Sequence, residues 1–281
     1  MDSFGHAGLR FEVSDDGPAD GPVVVLLHGF PADRSCWAGI TPALVEAGYR
    51  VLAPDQRGYA PGARPRRRRD YVLDRLAGDV LALADRAGAA RFDLVGHDWG
   101  AALAFFVAAR HPARVRSLTA FSVPHGDAWL RSLTRSTQLL RSWYIGLFQL
   151  PLLPEWLLHR GQGAGLRRAL VRSGLDEEIA RRYAARAVRS EDLRGPLNWY
   201  RMIPLAARRS TRLPPVAVPT LFVWSDRDRF VTRTAADLCV RSVCGPYRYE
   251  VLRGVSHWIP EQEPARAAAL LLAHLESADP R

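Results

Sequence analysis

One carboxylate stands where a short motif predicts a catalytic nucleophile. The sequence GHDWG at 96–100 lies between an apolar run and an Ala-rich stretch, and it places a glycine two positions to either side of Asp98. Glycines at this spacing allow a tight turn from a strand into a helix, which presents the central side chain clear of the sheet. The helix start favours the ionised carboxylate. We therefore predict that Asp98 is a nucleophile, with an ordinary helix N-cap as the alternative.

Two further residues could complete a catalytic triad with Asp98. His257 follows the last predicted strand, in GVSHW, and Asp228 follows the strand before it, in WSDRDRFV. The chain order of nucleophile, acid and histidine is the one expected when the nucleophile stands at such a turn. We predict that His257 is the base and Asp228 the acid that orients it. Asp226 and Asp127 are the alternatives to Asp228.

An aspartate nucleophile restricts the chemistry. A carboxylate attacks an sp³ carbon and forms an alkyl ester of the enzyme, which water activated by His257 then hydrolyses. Attack on an amide or an ordinary ester would give an anhydride, so esterase and peptidase activities are disfavoured. Ester hydrolysis produces an oxyanion, for which we predict the backbone N–H groups of Phe30, in HGFP, and Trp99 as donors. His28 in the same loop is predicted to be structural.

The remaining electrophiles are epoxides and alkyl halides. A departing halide needs N–H donors, whereas an epoxide oxygen needs an acid, and the tyrosine hydroxyl suits that role. Tyr144 and Tyr200 are candidates, although each could equally be a core aromatic with a satisfied hydroxyl. Composition alone does not separate these two residues from Tyr183.

Apolar runs that alternate with helical patterns predict the elements that position these residues. Such alternation is typical of a parallel sheet flanked by helices. The six runs are VVVLLHG at 23–29, YRVLAPD at 49–55, FDLVGHD at 92–98, VRSLTAFSV at 115–123, PTLFVWSD at 219–226 and YRYEVLRG at 247–254. Helices are predicted at 71–87, with Asp70 as N-cap, and at 99–110 and 263–276.

The alternation of strands and helices stops at about residue 123 and resumes at about 219. The interval is rich in Trp, Leu and Arg and has helical patterns at 129–145, 176–189 and 196–208. We expect a core formed by 1–123 and 213–281, with a helical lid at 124–212. Ligands of open α/β sheets bind beyond the carboxyl ends of the strands, so the lid is expected above the site.

The basic composition gives little support for a nucleic-acid partner. The chain has 281 residues and a net charge of +10, but its 39 basic residues are spread along the sequence. The run RPRRRR at 64–69 contains no aromatic residue, so a solvated loop is favoured over an anion-binding patch. We therefore expect no nucleic-acid binding.

Cysteine content and hydropathy bear on cofactors and location. The three cysteines, Cys36, Cys239 and Cys244, argue against a disulfide framework, and their spacing does not suggest zinc. No signal peptide and no apolar run of about 18 residues is visible. We expect a cytoplasmic protein with no metal, no cofactor and no membrane insertion. The oligomeric state is left open.

Four motifs together resemble a known family. HGFP, DQRGY, GHDWG and RGPLNWYR are similar to those of the soluble epoxide hydrolases of the α/β-hydrolase superfamily, and the resemblance extends from about residue 8 to 276. GHDWG is shared with haloalkane dehalogenases, whereas RGPLNWYR carries a ring-opening tyrosine of the epoxide hydrolases, which corresponds to Tyr200. The second family tyrosine corresponds to Tyr144 by local pattern. The resemblance also implies the α/β-hydrolase fold with a helical lid.

The resemblance implies a reaction as well. The protein would hydrolyse a small-molecule epoxide to a vicinal diol through an alkyl ester on Asp98, which water activated by His257 would hydrolyse without a cofactor. A haloalkane-type hydrolytic dehalogenase is the alternative, disfavoured because Phe30 stands where many dehalogenases have Asn. A non-enzymatic binding protein of the same fold is a further alternative, against which the complete triad argues.

Overall fold

A mostly parallel sheet of eight strands forms the centre of the molecule. The structure is a computed structural model that describes residues 1–189, 193–204 and 213–278. The strands are β1 (Ser3–His6), β2 (Leu9–Asp16), β3 (Val23–Leu27), β4 (Arg50–Pro54), β5 (Phe92–His97), β6 (Val115–Phe121), β7 (Thr220–Ser225) and β8 (Tyr247–Leu252). Their order across the sheet is β1-β2-β4-β3-β5-β6-β7-β8, and only the pairs β1–β2 and β2–β4 are antiparallel.

The six apolar runs are all strands of this sheet, as predicted. Every residue of β3, β5 and β7 is buried, because helices cover both faces of the sheet. The hairpin of β1 and β2 was not predicted. Its two strands are joined at Ala7 and Gly8, which both adopt positive φ, and β2 alternates buried residues such as Phe11 with exposed neighbours.

Three helices of the core lie near the strands that carry the site. They are α1 (Thr41–Glu46), α2 (Leu73–Arg86) and α3 (Trp99–Arg110). The predicted cap of α2 is wrong. The backbone of Val72 is extended, so α2 starts only at Leu73, and Asp70 instead forms an ion pair of 2.7 Å with Arg75. The side chains of Arg66–Arg69 in the preceding loop are exposed, as a solvated loop requires.

Between β6 and β7 the chain forms a helical insertion, meaning the described residues 124–189 and 193–204. Its helices are α4 (Gly126–Ser132), α5 (Gln138–Arg141), α6 (Trp143–Phe148), α7 (Leu153–His159), α8 (Ala164–Arg172), α9 (Glu177–Arg189) and α10 (Arg194–Arg201). After β7 follow α11 (Arg233–Asp237), α12 (Ile259–Gln262) and α13 (Pro264–Ala278). None of the described helices combines the length and apolar composition of a membrane span.

Two helix predictions in the insertion need correction. The pattern at 129–145 is not one helix, because the chain leaves α4 after Ser132 and begins α5 only at Gln138. Ser136 accounts for the break: its hydroxyl donates to the Ser132 carbonyl and accepts from the Gln138 amide, so a side chain competes with the helical backbone. The prediction at 196–208 corresponds to α10, and its last four residues lie outside the described ones.

Candidate active site

Asp98 stands in the tight turn that its flanking glycines predicted. The residue adopts φ 54° and ψ −119°, between the end of β5 and the start of α3. A Cβ on Gly96 would collide with the Gly100 carbonyl, and a Cβ on Gly100 would collide with the Leu27 carbonyl. The strand and the helix can therefore approach this closely only with glycine at both positions, and the turn holds Asp98 in a strained backbone conformation.

His257 lies between Asp98 and Asp228 and contacts both carboxylates. His257 follows the end of β8 and Asp228 the end of β7, in the half of the sheet that also contains β5. The Nδ1 atom of His257 lies 2.7 Å from Oδ2 of Asp228, and its Nε2 atom lies 3.4 Å from Oδ2 of Asp98. Oδ1 of Asp228 accepts hydrogen bonds from the amides of Phe230 and Val231 at 2.7 and 2.9 Å. The three side chains thus have the mutual geometry of a triad.

The two alternative acids have other environments. Asp226 is exposed, and its Oδ1 accepts a hydrogen bond of 2.7 Å from the amide of Gly254. Asp127 lies in the first turn of α4, where its amide donates to the His125 ring. The structure brings only Asp228 into contact with His257 among these three carboxylates.

Electrostatics favour an ion pair between His257 and its two carboxylates. Burial opposes the imidazolium, but the charges and hydrogen bonds of Asp228 and Asp98 outweigh it and raise the pKa of His257 to about 10. Burial likewise opposes the Asp98 carboxylate, yet its contact with His257 lowers the pKa of Asp98 below the usual value. The unreacted site therefore holds an ionised nucleophile and a protonated histidine.

One of the two predicted oxyanion donors contacts the Asp98 carboxylate, and the other follows Asp98 directly in the chain. The amide of Phe30 donates to Oδ1 of Asp98 at 2.8 Å. Trp99 is the first residue of α3, so its amide has no carbonyl partner within the helix. The ring of His28 contacts the Gly29 carbonyl through Nδ1 and accepts from the Gln56 amide through Nε2. His28 is fully buried and braces the loop, as predicted.

Two tyrosines from the insertion line a cavity together with Asp98. Tyr144 belongs to α6 and Tyr200 to α10, and their rings lie 5.9 Å apart. Burial and the nearby Asp98 charge raise the pKa of both hydroxyls, so they remain protonated. Tyr183 is different, because its hydroxyl donates to Glu261 at 2.9 Å. The structure thus separates the pair from Tyr183, which composition did not.

The cavity is apolar and large enough for an organic molecule. Its volume is about 360 Å³, within the range of small-molecule sites. Most of its wall is aromatic or aliphatic, and the aromatic part includes Trp99, Phe105, Trp129, Tyr144, Tyr200 and Phe230. The cavity can admit an apolar electrophile to a space that is lined by Asp98 as well as by Tyr144 and Tyr200.

Two residues that sequence reasoning missed fix the backbone of the histidine. The Nε2 atom of His97 lies 2.9 Å from the His257 carbonyl, and the Ser122 hydroxyl donates to the same carbonyl at 2.6 Å. His97 ends β5 and Ser122 follows β6, so both lie far from His257 in sequence. Burial lowers the pKa of His97 to about 4, so it remains a neutral donor. No local signal in the sequence indicates these contacts.

The insertion also contacts both loops that carry triad residues. Arg141 donates to the Asp228 carbonyl at 2.7 Å, and Gln138 donates to the Phe230 carbonyl at the same distance. On the other loop, Trp258 donates to the Ser173 hydroxyl at 2.9 Å. The insertion therefore contributes to the placement of the triad as well as to the cavity wall.

Comparison with known proteins gives consistent relatives. Residues 22–264 match the family model for the alpha/beta hydrolase fold. The chain is 33% identical to Epoxide hydrolase A of Mycobacterium tuberculosis, over 95% of this chain and 94% of that one. It is 32% identical to Epoxide hydrolase 3 of Xenopus tropicalis, over 92% of this chain and 72% of that one. The crystal structure of Epoxide Hydrolase A from Mycobacterium thermoresistibile superposes with a TM-score of 0.86 at 30% identity, and covers 98% of this chain and 97% of that one.

Proposed function

The chain belongs to the epoxide hydrolases of the α/β-hydrolase superfamily, and from this premise we propose that it opens an epoxide through a covalent ester on Asp98. The product is a vicinal diol. The observation that carries the proposal is the position of the Asp98 carboxylate, which contacts His257 and the Phe30 amide and lines the same cavity as Tyr144 and Tyr200.

The first step is attack by one oxygen of Asp98. Oδ1 accepts from the Phe30 amide, which leaves Oδ2 as the attacking atom. The new bond joins Oδ2 to a ring carbon, and the bond between that carbon and the ring oxygen breaks. Tyr144 and Tyr200 hydrogen-bond the ring oxygen and deliver the proton that the alkoxide requires. No base is needed, because the carboxylate is already ionised.

The second step requires His257 without its extra proton. Ester formation removes the negative charge of Asp98, so the pKa of His257 falls, and the proton that His257 releases returns through solvent to the tyrosine that protonated the alkoxide. Neutral His257 then takes a proton from water, which attacks the ester carbonyl carbon. The amides of Phe30 and Trp99 hold the oxyanion. Collapse breaks the bond to the diol oxygen, which takes the carboxyl proton and restores the initial state.

The insertion is proposed to be a lid. The division into a core of 1–123 and 213–281 and a lid of 124–212 is supported by helices α4 to α10, which follow one another between β6 and β7. The two tyrosines of this segment face the cavity that contains Asp98. A lid of this kind excludes water during ring opening and brings the acid groups to the leaving oxygen.

The covalent route is tested by a single turnover in H₂¹⁸O with enzyme in excess. The expected result is unlabelled diol and one ¹⁸O in the peptide that contains Asp98, because solvent oxygen enters the ester carbonyl carbon. Direct attack of water on the ring would label the diol at once and never the protein, and that result would overturn the proposal. An alkyl halide of similar size serves as control: halide release as fast as epoxide opening would favour the dehalogenase alternative.

A further inference from the structure

The most exposed large apolar side chains of the described residues are concentrated in one segment of the insertion. Ten such side chains have at least a third of their surface exposed, and only Val240 lies elsewhere. The other nine define what is called here the apolar face: Leu130, Leu139, Leu140, Trp143, Leu150, Leu152, Leu153, Trp156 and Leu157. Isolated exposed apolar residues are ordinary, whereas these nine lie within 28 positions on or beside helices α4 to α7, each of which contacts the next, and such a concentration favours an interaction surface.

The apolar face follows helix geometry. Leu139 and Leu140 lie in α5, and Trp143 is the first residue of α6, two positions after α5 ends. Leu153, Trp156 and Leu157 lie within one helix, α7, where positions i, i+3 and i+4 share one side. Helices of this pattern normally turn the apolar side inward. Here the same side is exposed, with Leu140 at 72% and Trp143 at 68%.

Positive charge predominates in the sequence that contains the apolar face. Residues 128–175 contain one carboxylate, Glu155, whose Oε1 forms an ion pair of 2.7 Å with Arg201. The same segment contains seven arginines, and the exposed ones are Arg131, Arg135, Arg160, Arg168 and Arg172. Arg167 forms an ion pair of 2.9 Å with Glu177, whereas none of the five exposed arginines has an ion-pair partner among the described residues. An apolar surface in an arginine-rich segment fits a partner that is itself apolar and negatively charged.

The cavity reaches the apolar face at Leu130. This side chain is 54% exposed and also lines the cavity that contains Asp98. A molecule that leaves an apolar phase at the apolar face therefore has a short path to the nucleophile. The value of this path for catalysis rests on the proposed function, whereas binding at the apolar face does not.

From these observations we propose that the apolar face binds peripherally to the surface of an anionic lipid bilayer. Tryptophan and leucine side chains would enter the boundary between head groups and acyl chains, and the arginines would contact anionic head groups. A second copy of this chain fits less well, because a two-fold contact would place one arginine-rich surface against another. The cavity mouth would then face the bilayer, where apolar epoxides partition.

Sedimentation with vesicles of phosphatidylcholine, with and without phosphatidylglycerol, tests the proposal. The wild-type protein is expected to bind the anionic vesicles and to lose at least about tenfold of its affinity between 0.05 and 0.5 M salt. The variant Trp143→Ser/Trp156→Ser is expected to lose about tenfold or more. The matched control is Val240→Ser, which removes an exposed apolar side chain elsewhere and should bind like wild type. Equal vesicle binding by all three proteins would overturn the proposal.

A second variant tests the charge with the apolar side chains intact. Arg131→Gln/Arg135→Gln should weaken binding to anionic vesicles about tenfold. The control Arg91→Gln/Arg253→Gln changes two exposed arginines outside the insertion and should bind like wild type. All variants should hydrolyse a water-soluble epoxide at wild-type rate without vesicles. If activity on that substrate fails in every protein while vesicle binding persists, the proposed function fails and this proposal stands. A dimer that Trp143→Ser dissociates, with no vesicle binding, would overturn it in favour of a second copy.

Discussion

The two halves of the site are held by different kinds of contact. On the core side, directional hydrogen bonds to the backbone fix the catalytic groups: Asp228 accepts from two amides, and the His257 carbonyl accepts from His97 and Ser122. On the insertion side, the two tyrosine side chains are held by packing against other aromatic rings. Tyr200 lies 5.0 Å from both Trp99 and Phe148, and Tyr144 lies 5.7 Å from Phe148, all in edge-to-face geometry.

The contrast between hydrogen bonds and aromatic packing indicates which property of the enzyme each half controls. Hydrogen bonds to fixed amides have narrow geometry, so the core side sets where protons reside. Edge-to-face contacts tolerate small displacements, so the insertion side can adjust to the shape of a substrate while it still presents two hydroxyls. Changes on the core side should therefore alter the protonation chemistry, and changes on the insertion side should alter ring opening and substrate fit.

The largest effect is expected from His257→Gln, because water then has no base. Turnover should fall by about 10⁴-fold or more, yet Asp98 should still react once. Intact-protein mass spectrometry after incubation with an epoxide should show one adduct of substrate mass. Asp98→Ala is the control and should show none. An unmodified His257→Gln protein would mean that ring opening by Asp98 also requires His257.

The next effect is expected from Tyr144→Phe/Tyr200→Phe. The alkoxide loses both proton donors, so ester formation should slow by about 10²–10⁴-fold, measured by rapid quench. The matched control is Tyr183→Phe, whose hydroxyl binds Glu261 outside the cavity. If the double variant opened the epoxide at the wild-type rate, the two tyrosines of the insertion would not be the acid in ring opening.

Asp98→Asn mimics the charge of the ester and isolates the proton chemistry. Loss of one carboxylate destabilises the imidazolium, so the pKa of His257 should fall from about 10 by roughly 1–3 pH units. An NMR titration of the imidazole measures this, once mass spectrometry has verified the amide. Asp226→Asn, which removes an exposed carboxylate that accepts from Gly254, should leave the pKa unchanged. A pKa equally high in Asp98→Asn would contradict the proposed switch to a base.

A matched pair of variants gives the smallest effects and compares the halves directly. Ser122→Ala removes one hydrogen bond to the His257 carbonyl and should cost about 1 kcal/mol of stability, with kcat lowered several-fold and its pH profile displaced. Phe148→Leu removes ring contacts to both tyrosines and should change KM several-fold with the pH profile unchanged. If Ser122→Ala changed only KM and Phe148→Leu displaced the pH profile, the assignment of protonation to the core side and substrate fit to the insertion side would be wrong.

The sequence predicted those parts of the molecule that depend on local patterns. A strand buried on both faces reads as a continuous apolar run, so β3, β5 and β7 were visible. Parallel strands end at one edge, which places Asp98, Asp228 and His257 together without any knowledge of contacts. The β1–β2 hairpin has one exposed face and only weak apolar character, so it was missed.

Other parts depend on contacts between distant residues. The His257 carbonyl meets His97 and Ser122 across 160 and 135 positions, and no periodicity marks such pairs. The break between α4 and α5 depends on whether the Ser136 hydroxyl bonds to the backbone, which helix propensity alone does not decide. The insertion was therefore predicted as helical, with the wrong division into helices.

The bonds from the insertion to the catalytic loops have a consequence for protein engineering. Arg141 and Gln138 bind the carbonyls of the Asp228 loop, and Ser173 accepts from Trp258 beside the histidine. A chimera that takes its insertion from a relative to broaden substrate range would exchange these bonding partners too. Such a transplant would perturb proton transfer along with selectivity, unless the three partners are grafted back, and libraries confined to cavity-facing positions avoid that coupling.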